Sequence, residues 1–387
     1  MKGEAMFKVI GALLCIAGAL LAAPCFADIR VGVILSTTGP GASLGIPEEK
    51  TVRLWPTEIA GQKVVLTVLN DESDTTTAAK NATRLVTEEK VDVVVGPSLT
   101  PTSLSALPIF AEAGTPMISL AGGGAIIDPP DGPRRWAFRM APPEAIAVGV
   151  VLDNMVAQGV KKVGVVALAT SFGEGYTKTL ERLAPSKGIQ VVAIERYNQN
   201  ETSVTAQVLH LLAAQPDAVY IMSSGTPGAL PQIELAQRGF KGTVYQTQGV
   251  ANNDYLRIGG KNLEGGYMTV GPVLVAEQLP DSSILKKPAL DFVKTYETVN
   301  GANSRSLFGA SAWTAYEWLR YAVPIALKKA QPGTAEFRTA LRDAMETMKD
   351  VVTPEAVFSM SQNNHNGSDA RSQVLVQVSN GAWKLVR

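Results

Sequence analysis

The chain has 387 residues, of which 46% are hydrophobic and 18% are charged, and its 35 basic residues equal its 35 acidic residues. This composition excludes a disordered or collagen-like chain, and the length suggests two domains or one domain with long insertions. Zero net charge argues against a nucleic-acid binder, which needs a basic face. With only two His and two Cys, a zinc site or a cysteine nucleophile is also disfavoured.

Residues 1–27 have the layout of a secretory signal peptide. A weakly positive start precedes an almost wholly apolar run at residues 9–23, and small residues then lead to a charged start at Asp28. The apolar run is shorter than the roughly 20 residues of a membrane-spanning helix. We therefore predict cleavage after Ala27 and export to the periplasm.

Both cysteines of the chain, Cys15 and Cys25, lie in this leader, so the exported chain would contain none. A lipoprotein, attached through Cys25, is disfavoured because Pro24 directly precedes that residue. An exported chain without disulfides fits a core that is large enough to be stable by itself.

The first half of the exported chain alternates apolar strands with helices. Strands are predicted at 29–35, 64–69, 91–95 and 115–120, and helices between the first two strands, at 75–90 and at 102–113. The helix at 75–90 is amphipathic and begins with threonines that can cap it. Continuous apolar strands that alternate with helices are typical of an α/β fold with a doubly wound parallel sheet.

The same order of elements recurs in the second half. Strands are predicted at 161–168, 191–192, 217–222 and 243–247, and helices at 203–214 and 230–239. The four residues that begin at Lys162 (KVGV) match the four that begin at Arg30 (RVGV), about 130 residues earlier. This steady offset predicts an internal duplication, with two lobes of one topology.

The pattern changes after about residue 271. Helices are predicted at 289–299, 308–330 and 335–348, and strands at 356–360, 373–378 and 381–386, with a polar loop at 361–372. We expect the helices to return to the first lobe and the last strands to cross to the second. The predicted lobes are 28–143 plus 274–354 and 144–273 plus 355–387, joined by a three-segment hinge.

Six loops would follow the carboxyl ends of the predicted strands, where open parallel sheets bind ligands. They are rich in Gly, Ser, Thr and Pro and poor in charge, and lie at 36–45, 96–103, 121–124, 169–175, 223–228 and 248–252. Residues 100–103 lead into a helix, whose first N–H groups can hold a carboxylate. Glycines at 122–124 permit close backbone approach and a nest of N–H groups. Together the loops predict a ligand site in the cleft between the lobes.

In order and spacing, several stretches resemble the type I periplasmic binding proteins of ABC transporters, in the leucine/isoleucine/valine-binding group. They are IRVGVILSTTGPGASLG, VDVVVGP, TPTSLSALPIFAEAGTPMISLAGG, SFGEG after KKVGVVAL, and FGASAWTAYEW. The resemblance covers essentially the whole exported chain. It implies two lobes that close on a ligand without catalysis, and a membrane permease as partner. It implies no cofactor, metal or nucleic acid, and we expect a monomer.

The resemblance also implies which residues contact the ligand. The hydroxyl that holds the ligand carboxylate falls on Thr100, and the aromatic lid falls on Phe172, where amino-acid binders usually have Tyr. The other implied contacts are Ala121, Gly122, Gly123, Ser224 and Gly225. The acidic residue that pairs with a ligand ammonium falls on Gln248, which is neutral.

A neutral residue at this position disfavours an α-amino acid as the ligand, because a buried ammonium needs a carboxylate partner. Gly123 also stands where a Thr hydroxyl is usual, and the stretches GASLGIPEEKT and DPPDGPRRWAFR resemble a subgroup associated with aromatic acids. We expect a small carboxylate with an apolar or aromatic body. Thr100 and the glycine nest would hold the carboxylate, and Leu44 and Phe172 would flank the body. A branched-chain or aromatic amino acid is the alternative.

Other functions are weighed against transport. A sensor of the same fold would regulate a partner instead of feeding a permease. An exported serine hydrolase would use Ser43 in the G-x-S-x-G stretch at 41–45, with His210 or His365 as base. A slack loop separates Ser43 from its strand, which disfavours the hydrolase.

A dinucleotide site is disfavoured as well. Gly39, Gly41 and Gly45 approach the dinucleotide fingerprint, with Asp71 after the second strand, but Pro40 stiffens the turn.

For three isolated titratable residues we predict structural rather than catalytic roles. We expect His210 to lie at the edge of an apolar helix face and His365 to be solvated in its Asn-rich loop. Glu174, at the edge of the cleft, is expected to cap its helix.

Overall fold

The computed structural model describes residues 27–386, so all of the predicted signal peptide except Ala27 lies outside the described residues. The strands are β1 (Ile29–Leu35), β2 (Glu58–Ile59), β3 (Gln62–Asn70), β4 (Val93–Val95), β5 (Met117–Ser119), β6 (Ala137–Arg139), β7 (Lys162–Leu168), β8 (Gln190–Tyr197), β9 (Ala218–Met222), β10 (Thr243–Gln246), β11 (Tyr267–Val270), β12 (Val351–Val352), β13 (Val357–Phe358), β14 (Val374–Ser379) and β15 (Ala382–Leu385). The α-helices are α1 (Ala42–Val52), α2 (Thr75–Thr87), α3 (Thr100–Glu112), α4 (Glu144–Ala157), α5 (Ser171–Leu183), α6 (Thr205–Ala213), α7 (Ala229–Gln237), α8 (Asn253–Gly259), α9 (Lys286–Asn300), α10 (Leu307–Ala326) and α11 (Ala335–Met345).

The strands form two large sheets with the same winding. The first has the order β2-β3-β1-β4-β5-β6, and the second has the order β15-β14-β11-β10-β9-β7-β8. Pairing is parallel from β3 to β6 and from β8 to β11, while β2, β14 and β15 are antiparallel additions at the edges. In each sheet the first strand lies between the second and third parallel strands of its lobe. The predicted fold, two doubly wound α/β lobes from a duplicated pattern, is confirmed.

Burial explains why the strand sequences are continuous apolar runs. Every residue of β1 except Arg30 is buried, since helices cover both faces of the sheet. Some of the helices begin at side chains that cap them. Asp74 accepts a hydrogen bond from the Thr77 N–H (2.7 Å) at the start of α2, so this aspartate, rather than the predicted threonines, is the cap.

The segment after the second sheet divides between the lobes. Helices α10 and α11 pack into the core of the first sheet, through residues such as Trp318 and Phe337. Helix α9 contributes Phe292 and Tyr296 to a core that also contains residues of β11 and β14, in the second sheet. The chain therefore passes between the two sheets three times, and the boundaries of the lobes in sequence stay a prediction.

The structure adds elements that the sequence pattern did not predict. These are the short strands β2, β6, β11 and β12 and the helices α4 and α8. The strand predicted at 356–360 is reduced to the two residues of β13, which pair with β12. Within residues 27–386, no helix has the length and apolar character that a membrane crossing requires.

The polar loop at 361–372 is not solvated at its centre. His365 is buried: its Nδ1 lies 2.8 Å from the Ala137 carbonyl oxygen, its Nε2 lies 3.1 Å from Glu346 Oε1, and its ring stacks on Phe138. The prediction of a solvated His365 was wrong, because the loop folds back onto the end of β6. Asn366 adds two hydrogen bonds there, from its Nδ2 to the carbonyl oxygens of Arg139 (2.8 Å) and Ala141 (2.6 Å).

Candidate functional site

A cavity of about 780 Å³, including space open to solvent, lies where the two sheets face each other. It is lined at the carboxyl ends of strands in both sheets, by Ser98 after β4 and by Thr170 after β7. Strand order reverses beside β1 and beside β7, so the cavity lies at the switch points where this class of sheet binds ligands. The interlobe cleft predicted from the sequence is therefore present as a cavity.

Seven of the nine predicted ligand residues line this cavity. They are Leu44, Thr100, Ala121, Gly122, Phe172, Ser224 and Gln248. Gly123 and Gly225 lie just behind its surface: the Gly123 N–H donates to Thr100 Oγ1 (3.1 Å), and the Gly225 N–H donates to the Gly249 carbonyl (2.9 Å). Contact of each of the nine with a ligand stays a prediction.

Thr100 is the first residue of α3 and is almost fully buried. Its hydroxyl oxygen accepts from Gly123, which leaves the hydroxyl hydrogen free to donate. The preceding residue, Leu99, provides no side-chain cap for the helix. The first turn of α3 therefore offers a hydroxyl and uncapped N–H groups to an anion in the cavity.

The glycine loop after β5 is held by an ion pair. Arg139 donates to the Gly122 carbonyl (2.8 Å) and to Glu144 (3.1 Å), and Glu144 accepts from the Gly124 N–H (2.6 Å). Since the Gly123 and Gly124 N–H groups are both engaged within the protein, the predicted nest is not free to bind a carboxylate. In the described chain, the Gly122 N–H donates no hydrogen bond.

The aromatic side of the cavity comes from the second lobe. Phe172 is in the first turn of α5 and packs against Tyr176, with ring centroids 4.8 Å apart. A Cβ atom on Gly122 would lie 2.8 Å from the Phe172 ring, closer than any real contact. The absence of a side chain at residue 122 is therefore what allows this ring to approach the glycine loop of the first lobe.

The position of the expected ammonium partner is occupied by a pair of amides. Gln248 is buried, and its Oε1 accepts from Gln373 Nε2 (2.9 Å). Gln373 also donates to the Ser372 carbonyl (2.9 Å). This pair gives the second lobe a neutral polar surface in the cavity.

The sequence reasoning missed a buried acid in the lining. Glu355 accepts from Ser311 Oγ (3.0 Å), and burial raises its pKa to about 8, although the hydroxyls of Ser311 and Thr314 act in the opposite direction. A second acid, Glu48, lies behind the lining and accepts from Ser98 Oγ; burial also raises its pKa to about 8, and Asp71 and Glu355 add to the increase. Both acids lie in helix-like or loop sequence that gives no pattern for burial, so only the fold reveals them.

The comparison with known families identifies the chain. The family model described as periplasmic binding protein matches residues 28–382, almost all of the described chain. The chain belongs to this periplasmic binding protein family. The resemblance predicted from the sequence is thereby confirmed. The family and its fold are those of solute-binding proteins rather than enzymes, and membership implies export to the periplasm.

Individual relatives agree with this assignment. The binding protein is 42% identical to an extracellular ligand-binding receptor from Rhodopseudomonas palustris HaA2, with a TM-score of 0.90, over 93% of this chain and 100% of that one. It is 25% identical to Leu/Ile/Val-binding protein homolog 3 from Brucella melitensis, over 64% of this chain and 68% of the relative. A second structure, the solute-binding protein of an R. palustris ABC transporter in complex with benzoate, shares the fold (TM-score 0.77, 20% identity, 93% and 96% covered).

Ser43 and the two histidines of the hydrolase alternative do not form a catalytic group in this binding protein. Ser43 is buried in the first turn of α1, and its hydroxyl has no hydrogen-bond partner among residues 27–386. His365 contacts Ala137 and Glu346 instead, and the side chain of His210 is 76% exposed, with Glu195 4.0 Å away. His210 is thus more exposed than predicted, and neither histidine serves Ser43 as a base.

The residues of the dinucleotide fingerprint also have structural roles. Asp71 is buried, and its Oδ1 accepts from Ser36 Oγ (2.6 Å) and from the Ser73 N–H (2.9 Å), both within the first lobe. The Gly41 N–H donates to Ser73 Oγ (3.0 Å). This loop is therefore closed by its own hydrogen bonds.

At the rim of the cleft, Glu174 lies in the first turn of α5, and Arg196 holds its pKa below the usual range through hydrogen bonds of 2.5 and 3.0 Å. Among the described residues, no group of three or more His, Cys, Asp or Glu side chains is arranged to hold a metal ion.

Proposed function

We propose that this binding protein is the exported solute receptor of an ABC transporter, and that it captures a small carboxylate with an apolar or aromatic body. Its leader would be cleaved after Ala27. The two lobes would close on the ligand, and the closed form would be recognised, as a monomer, by an inner-membrane permease. Binding energy need only shift an equilibrium between open and closed forms.

The proposal rests chiefly on the chemistry around Thr100. In one cavity, a free hydroxyl hydrogen, an uncapped helix start and the Gly122 N–H, which has no acceptor among residues 27–386, lie beside the Phe172 ring. Carboxylates are favoured by such donors, and an aromatic or branched body is favoured by the apolar lining. A relative of the same fold is in complex with benzoate.

Contacts between the lobes support closure as the signal. A Cβ atom on Gly225, in the second lobe, would lie 2.6 Å from the Pro40 carbonyl oxygen of the first lobe. The Phe172 ring meets Gly122 across the cleft in the same way. A closed cleft of this kind excludes water from the ligand, which strengthens its polar contacts.

An α-amino acid is the second candidate ligand. A relative is called a Leu/Ile/Val-binding protein homolog. Glu355 in the lining is an acid whose carboxylate form a ligand ammonium would stabilise. Against it, the residue aligned with the usual ammonium partner is Gln248, whose carbonyl oxygen is already used by Gln373. Glu144, the acid nearest the glycine loop, is already paired with Arg139.

Intrinsic fluorescence provides the test. The exported protein would be titrated with benzoate-type acids, aryl-keto acids and leucine. We expect saturable changes with aromatic acids and little or none with leucine. Tight binding of leucine while every aromatic acid fails would overturn the proposed ligand class, and would leave the family assignment intact.

A further inference from the structure

The cavity contains a second polar group, formed by Glu355, Ser311 and the amide pair of Gln248 and Gln373. Glu355 lies on the segment that crosses between the lobes, just before β13, and Ser311 is on the first turns of α10. Glu355 also lies 3.6 Å from the position that a Cβ atom on Gly271 would occupy. The group thus joins elements of both lobes.

This second group is separate from the donors around Thr100. In the part of the chain that the structure describes, no hydrogen bond links Glu355, Ser311 or Gln373 to Thr100 or to the glycine loop. Leu44, Leu99 and Phe308 form an apolar cluster of their own in the lining. Both groups line the same cavity, so with a ligand carboxylate held by Thr100 the Glu355 group is left for another part of the ligand.

The surroundings of Glu355 favour its neutral form. It forms no salt bridge among residues 27–386, and its nearby acid, Glu48, is itself buried with a raised pKa, so neither carboxyl favours ionisation of the other. Burial raises the pKa of Glu355 to about 8, which favours its protonated form at neutral pH. A neutral carboxyl both donates and accepts a hydrogen bond, and it does not repel an anionic ligand.

We propose that Glu355, oriented by Ser311, is a specificity-determining residue that hydrogen-bonds a hydroxyl on the ligand's apolar body, away from the carboxylate. This inference rests on the proposed function and narrows it to hydroxylated aromatic acids. A ligand without the hydroxyl leaves the buried Glu355 carboxyl with Ser311 but without its partner on the ligand, which lowers affinity roughly tenfold or more.

Isothermal titration calorimetry at pH 7 tests the inference with matched ligands. Benzoate is compared with 3- and 4-hydroxybenzoate, and cinnamate with 3- and 4-hydroxycinnamate. For wild type, we expect the best hydroxylated isomer to bind about tenfold or more tighter than its parent. In Glu355→Leu this ratio falls to about one, whereas Glu355→Gln, which keeps a neutral donor and acceptor, retains part of it.

Folding controls and a further variant distinguish a lost ligand contact from a misfolded protein. Circular dichroism and the Tm are recorded for each variant, and Ser311→Ala, which removes only one hydroxyl, is expected to lower the ratio without abolishing it. If Glu355→Leu does not fold, the ratios for Ser311→Ala and Glu355→Gln decide.

Three results would overturn the inference. The first is a wild-type ratio near one. The second is a ratio that equals the wild-type value in Glu355→Leu or, if that variant does not fold, in both Ser311→Ala and Glu355→Gln. The third is phenylalanine binding more tightly than 3-phenylpropionate with the difference lost in Glu355→Gln, because Glu355 would then bind an ammonium. If no aromatic acid binds to wild type, the proposed function itself fails.

Discussion

The two polar regions of the cavity each contain a buried acid, but the two acids have different partners. At the glycine loop, Glu144 has a cationic partner, Arg139, and a backbone N–H. At the crossing between the lobes, the Glu355 carboxyl has only hydroxyl partners among the described residues, and another acid, Glu48, is close by. The first acid therefore fixes the conformation of a loop, whereas we infer that the second remains available to a ligand.

The largest expected effect is on the pH dependence of stability. The pKa of Glu355 and of Glu48 is raised from 4.5 to about 8 in the folded protein, so the folded state holds more protons than the unfolded state between these values. The free energy of unfolding therefore falls as pH rises from 5 to 8, by roughly 3 kcal/mol for each carboxyl.

Urea unfolding at pH 5 and pH 8 measures this fall. Other buried acids also have a raised pKa, so the comparison is with Glu355→Gln, which should lose roughly 3 kcal/mol of the fall. An identical fall in wild type and variant would show that Glu355 is ionised in the folded protein at both pH values.

The ion pair at the glycine loop gives the next largest effect. Arg139→Met leaves Glu144 buried without its cation, and we expect a loss of about 3–5 kcal/mol in the free energy of unfolding. The matched control is Arg53→Met, which breaks the exposed pair with Glu49 and should cost under about 1 kcal/mol. Equal losses would contradict the structural role given to Arg139.

The Thr100 hydroxyl should affect affinity more than stability. Thr100→Val removes the free donor at the start of α3 and also the acceptor of the Gly123 N–H. We expect about tenfold weaker binding of an aromatic acid, and Thr100→Ser, which keeps the hydroxyl, should bind nearly as wild type. Calorimetric titration of the three proteins measures this. Unchanged affinity in Thr100→Val would show that the ligand carboxylate does not bind at Thr100.

The smallest effect is expected at Ser43. Its buried hydroxyl has no partner in the described chain, so Ser43→Ala should change the free energy of unfolding by under about 0.5 kcal/mol. A serine-reactive fluorophosphonate probe should label neither wild type nor variant. Labelling of wild type that is lost in Ser43→Ala would revive the hydrolase.

Elements of the fold could be predicted from the sequence where their pattern is local, but not where they depend on residues distant in sequence. Strands such as β1 and β7 are buried on both faces, so their apolar runs reveal them locally. The three residues of β6 are too few to form a pattern. His365 was misplaced because its burial depends on β6 and Glu346, which lie far from it in sequence.

The site was predictable to the same extent. Thr100 and Phe172 follow strands at the switch points, so strand positions and the family resemblance bring them to the cavity. Glu355 could not be found in this way, because its neighbours Ser311 and Gly271 come together only when the chain crosses between the lobes.

Mass spectrometry of the small molecules released when the purified protein is denatured would identify the class of ligand. We predict an aromatic monocarboxylic acid without an α-ammonium, recovered at up to one molecule per protein. Recovery of leucine, isoleucine, valine or another α-amino acid in that amount would contradict it.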